Sequence, residues 1–158
     1  MGLDHYLFLV KAYSVSYEPC AGTVDGFPLE SHRMQVLCWR KNHWVHQWFC
    51  ANVSEAANEC REIELDHEQL ALLADKLEAW VDDPEALPPV SDKLRGAFFG
   101  ARVTDPDYEH ERDLYRAEAK DEAKKIRKAI EWIKLECGFK NCRQMEGESR
   151  YATYRASW

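Results

Sequence analysis

The chain has 158 residues, 46% of them apolar and 12% aromatic, with a formal charge of −7. That is enough apolar material for one packed core, which excludes a disordered chain and makes two half-length domains the poorer division. The negative balance repels phosphate backbones at long range, so it argues against a long nucleic acid as partner and is friendlier to a protein.

No run reaches the length of a membrane span, and the apolar start at 1–10 alternates and lacks a positive segment and a cleavage site. A cytoplasmic protein with no membrane contact is expected. Its six cysteines then read as reduced thiols, several of them small buried hydrophobes.

In chain order, residues 4–14 alternate with period two and predict a first strand. Residues 16–33 carry Pro19, Gly22, Gly26 and Pro28 and predict a long connection. A short second strand fits 35–39, and a helix follows from about 41 to 53. On that helix Val45, Trp48, Phe49 and Asn52 share one face, and His43, His46 and Cys50 line the next. Residues 54–60 read as a loop or short turn, and 61–65 as a third strand.

Asp66 is a good N-cap, with Gln69 placed for a capping box. Leu70, Leu73, Leu77, Trp80 and Val81 form the apolar stripe of the helix it opens, which Pro84 stops. The run 96–100, apolar between glycines, predicts a buried strand. A long helix from about 107 to 136 carries Tyr115, Ala119, Ala123, Ile126, Ile130 and Ile133 at spacings of three and four. Residues 150–158 predict a last strand. The expected fold is therefore α+β: one domain over 1–158, a small mixed sheet including both terminal strands, and about three helices covering it, the last one long.

Some of these residues form a recognisable set. They are the opening Met1-Gly2-Leu3-Asp4-x-Tyr6-Leu7, Trp39-Arg40-Lys41, His46-x-Trp48-Phe49, Asn52-Val53, Phe98-Phe99-Gly100 and the ending Tyr154-x-Ala156-Ser157-Trp158. Together they resemble a family of small uncharacterised proteins encoded by phages and bacteria. The resemblance carries no catalytic role with it; it implies an accessory protein, with counter-defence against the host as one use. The segments 16–33 and 136–149 are longer than the family pattern and bring Cys20, Cys137 and Cys142 with them.

The 41–53 helix concentrates the candidate chemistry. Arg40 and Lys41 at its start could meet an anion, because free N–H groups there already favour negative charge. With Trp39, His43, Trp44 and His46 they form the expected contact for a host protein or a small anionic ligand. Trp39, Trp44, Trp48, Trp80, Trp132 and Trp158 exceed what a core of this size needs, which predicts that some are exposed at an interface.

His46 could also act as a general acid or base, with Cys60 as nucleophile, in a small hydrolase acting on a phosphate-containing substrate. No cofactor is expected. The alternative is zinc, held by His43, His46, Cys50 and Cys60, although no close Cys-x-x-Cys pair supports it. Asp105, Asp107, Glu109 and Glu111 complement the dipole of the long helix, and magnesium is their alternative use. The apolar seam of that helix could instead pack in a homodimer.

Overall fold

Strand β1, Asp4–Tyr13, turns His5, Leu7 and Leu9 to one side, where all three are buried. Asp4, Tyr6 and Phe8 face the other side and stay partly exposed. The computed structural model describes residues 3–13, 30–87, 89, 106–135 and 148–157.

Strand β2, Glu30–Arg40, pairs antiparallel with β1 from Asp4↔Arg40 to Tyr13↔Glu30. It begins well before the predicted 35–39. Its first residues are polar and carry no alternating signal, so only the ladder to β1 recruits them. A bulge opposite Leu7/Phe8 puts Val36 in as an extra residue and lets Leu37 and Trp39 face inward.

Helix α1, His43–Asn52, follows, then a short 3-10 helix, Glu55–Glu59, capped by the Ser54 side chain. Strand β3, Ile63–Leu65, shows the inward–outward–inward burial of a half-covered strand. Asp66 and Gln69 form the complete capping box at the start of helix α2, His67–Asp82. Its stripe of Leu70, Leu73, Leu77 and Trp80 is sealed, each leucine contributing on the order of 2 kcal/mol over exposure.

Helix α3, Tyr108–Lys134, buries Ala119, Ala123, Ile126 and Ile130. It runs antiparallel to α2: Arg116 meets Trp80 and Val81, whereas Arg127, farther along, meets Asp75 and Glu78. The buried part of the apolar seam is thus covered by α2 from within the chain. Strand β4, Glu148–Ser157, then pairs antiparallel with the whole of β1, from Asp4↔Ser157 to Tyr13↔Glu148. The two terminal strands belong to one sheet, as expected, and lie side by side in it.

The strand order is β2-β1-β4-β3, and all three described ladders are antiparallel where a mixed sheet was expected. Two helices of opposite direction, α2 and α3, lie between β3 and β4 along the chain, and β4 enters against β3. A single crossover helix would have returned it parallel. The strand predicted at 96–100 lies outside the described residues.

Four of the tryptophans are core material. Trp39, Trp44, Trp48 and Trp80 are at most 3% exposed, which corrects the expected exposure of Trp39 and Trp44 at a contact. Trp132 is partly buried, and Trp158 lies outside the described residues. Trp44 packs against Trp80, Tyr108 and Tyr115, while Phe49 stacks on Tyr154 at 3.8 Å between ring centroids. Helix α1 therefore has the sheet on one side and the α2–α3 pair on the other. Both of its predicted faces are largely buried for that reason; Cys50 is partly buried, and Asn52 leaves the set, exposed and bonded to the Trp48 carbonyl.

Candidate functional site

Two groups of predicted site residues separate in the structure. One is a sealed cluster under the sheet, and the other is an exposed corner between β2 and α1.

The cluster begins with His46, fully buried on α1. Its Nδ1 lies 2.6 Å from the Tyr154 hydroxyl, which lies 3.1 Å from Nδ1 of His5. One phenol carries one proton, so it donates to one imidazole and accepts from the other. The opposite edge of His46, Nε2, is 3.7 Å from Cys50 Sγ, one helical turn on. His5 also stacks on Trp39 at 5.2 Å.

Electrostatics make this a neutral network. Burial, then the neighbouring His46 and Lys41, takes His43 down to about 4. Burial takes His46 to about 4 as well, against an opposing hydrogen bond to the Asn58 side chain. His5 is held well below the ordinary histidine range by burial, then by His46 and His43, with a backbone contact at Asn42 opposing. Burial and the nearby Glu55 push the Cys50 thiol up to about 11. An activated cysteine needs the reverse, a thiolate beside an imidazolium.

His46 is thus 0% exposed, with its two ring nitrogens facing Tyr154 and Cys50. Among the four weighed zinc ligands, His46 and Cys50 touch. Cys60 ends the 3-10 helix with φ of 58° in the left-handed region. No group of three or more His, Cys, Asp or Glu is arranged for a metal among the described residues.

At the corner, the helix starts two residues later than predicted. Arg40 closes β2 and Lys41 takes φ of 57°, a left-handed turn. Asn42 is the N-cap, its side chain accepting from the Val45 N–H at 3.2 Å. The end of α1 is thereby already satisfied, and the two cations stand before it rather than on its first turn.

Four further contacts hold this corner. Lys41 N–H donates to the Leu3 carbonyl at 2.6 Å, and His43 N–H to the Lys41 carbonyl at 3.0 Å. His46 N–H donates to Asn42 at 3.2 Å, and the Tyr115 hydroxyl to the Arg40 carbonyl at 2.9 Å. The side chains project outward: that of Arg40 is 80% exposed, with one loose ion pair to Asp4 at 3.8 Å. Lys41 is exposed too and has no described ion pair.

Of the six residues expected at a contact, then, Arg40 and Lys41 are accessible. His43, Trp44 and His46 are withdrawn into the core because α1 is covered on both sides, and Trp39 because its phase of β2 faces inward. Reading the sequence missed His5, Tyr154 and Glu122. Each had a signal. His5 and Tyr154 occupy the apolar phase of alternating strands, and Glu122 falls between Ala119 and Ile126 on the seam of α3. A polar residue in an apolar phase marks a buried polar group.

No described helix is long and apolar enough to cross a membrane. Comparison with models of known families, with curated proteins and with solved structures finds no match.

Proposed function

We propose that this chain is a binding protein of phage type. In this reading the β2–α1 corner presents Arg40 and Lys41 to an acidic surface on a host protein, or to a small anion. The supporting observation is a backbone corner held by named bonds while both cationic side chains remain outside. A corner already ordered loses little conformational entropy on association. The Arg40–Asp4 pair is exposed and long, a kind worth about 1 kcal/mol or less, so a partner carboxylate replaces it at small cost. The resemblance to phage- and bacterium-encoded proteins supports a host target, and counter-defence as the role.

The alternative is a small hydrolase acting on a phosphate-containing substrate with His46 as acid or base. No contact among the described residues favours it. His46 is 0% exposed, burial takes it to about 4, which makes it a weak base, and the thiol beside it is pushed up to about 11, which keeps it protonated near neutral pH.

The test compares wild type with the double variant Arg40→Glu, Lys41→Glu, capturing partners from host lysate at two salt concentrations and weighing retained small molecules by native mass spectrometry. The expected result is a wild-type complex that weakens with salt and is at least about tenfold weaker in the variant, with an unchanged circular dichroism spectrum. Equal capture by both proteins would overturn the assignment.

A further inference from the structure

At the far side of Trp44 from the sheet, the end of α2 and the start of α3 enclose a cavity of about 340 Å³. Pro84 stops α2, and Pro106 precedes α3, so two chain breaks meet there and leave space between them. Pro84, Pro106, Leu87 and Trp44 supply an apolar wall. The Trp44 indole donates to the Tyr108 hydroxyl at 3.2 Å, which fixes both rings and leaves the Tyr108 proton to donate.

Arg112 lies one turn into α3 and lines the same cavity. Helical side chains lean toward the N-terminus, so this residue reaches back over the start of its own helix. Its side chain is 17% exposed, and its Nε–H is buried with no acceptor among the described residues. Its one described ion pair is loose: Nη1 stands 3.7 Å from Glu85, whose side chain is 76% exposed. The first turn of α3 lies beside the cavity with N–H groups that its N-cap, Asp107, does not bond, although Asp107, Glu109 and Glu111 offset the dipole there, so Arg112 is the cation that a ligand would meet. Glu109 also lines the cavity, in the first helical turn where a carboxylate complements the dipole.

A largely enclosed guanidinium with an unmet N–H beside an apolar wall is an incomplete arrangement. A planar carboxylate completes it through paired N–H···O bonds. The volume lies at the lower end of the range for small-molecule sites. We propose that this cavity binds a small organic acid with a flat apolar body. The carboxylate sits on Arg112 with Tyr108 as second donor, and the ring lies along the Trp44 and proline wall. Glu85 is the internal competitor that the ligand displaces. The site is separate from the Arg40–Lys41 corner, and it stands or falls independently of it.

The probe is benzoate, with benzamide as its neutral counterpart, titrated into the full-length protein and followed by amide and arginine side-chain NMR signals. Millimolar binding of benzoate is expected for so small a ligand, with benzamide at least about tenfold weaker. Arg112→Gln should remove the preference for benzoate. Glu85→Gln, on an exposed side chain, should tighten benzoate severalfold by releasing the guanidinium, an effect a merely structural Arg112 would not give. Equal binding of benzoate and benzamide, no benzoate binding at all, or an unchanged benzoate affinity in Glu85→Gln would each overturn the proposal. Should Arg112→Gln fail to fold, the Glu85→Gln result decides.

Discussion

Titration of the core residues runs in two opposite directions. His43 and His46 fall to about 4 in the fold against about 6.5 in the unfolded chain, because burial disfavours the cation. The unfolded state therefore binds more protons between those values, and stability rises with pH across that window. Glu122 behaves oppositely. It is 7% exposed, and burial is the larger cause that pushes its carboxyl up to about 7. The Trp39 indole faces it and opposes the rise, yet neither Trp39 Nε1 nor Glu122 Oε2 reaches hydrogen-bond geometry with a described partner.

For Glu122 the folded state binds the extra proton, so its contribution falls as pH rises from about 4.5 to about 7 and stays unfavourable above that. Thermal melts from pH 5 to 8 should show wild type losing stability steeply below pH 6.5, where the histidines dominate. Glu122→Gln should match wild type near pH 5 and exceed it by about 2–3 kcal/mol at pH 8. Equal stability of the two proteins at pH 8 would mean that Glu122 is solvated and ionised there.

Among the elements, the α2–α3 pair depends on one side chain at its end. Arg116 donates from Nε to the Trp80 carbonyl at 2.7 Å and from Nη2 to the Val81 carbonyl at 2.6 Å. These are last-turn carbonyls of α2, which have no partner within their own helix, and a cation there also complements the dipole. No basic residue occupies the last turn of α2 itself, so α3 supplies it. Arg116→Ala should cost about 2 kcal/mol in urea denaturation, as loss of charge-assisted bonds to half-buried carbonyls does. By contrast, Arg127 pairs with Asp75 and Glu78 on an exposed surface, where its removal should cost less than about 1 kcal/mol.

At this scale the helices were legible and one strand was not. The capping box at Asp66 and the stripe from Leu70 to Trp80 are local signals, set by spacing along one helix. The polar half of β2 has no such signal; residues 30–34 are extended because β1 offers its edge to them. For the same reason the pattern on α1 misled. Periodicity identifies an apolar face, but it does not reveal that a second layer covers the face opposite.

The whole molecule is organised by β4, which lies inside the sheet between β1 and β3. An internal strand holds two ladders, so losing it opens both and uncovers Tyr154, the centre of the histidine network. Truncation before residue 148 should abolish the cooperative thermal transition instead of lowering its midpoint. A truncated chain that still melted cooperatively would show that β1, β2 and the helices form a core without it.

By itself, the sequence determined the α+β class, the three helices with the last one long, and the strands near both ends, because apolar period and capping residues act over a few positions of chain. Tertiary structure alone decided which polar residues are inside. His43 and His46 stand on α1 beside Arg40 and Lys41, and only packing on both sides of that helix sends the histidines into the core and leaves the cations out. It also decided that Arg112 and Glu85, far apart along the chain, share one cavity. Burial and charge pairing depend on distances through space, and those exist only once the layers have closed.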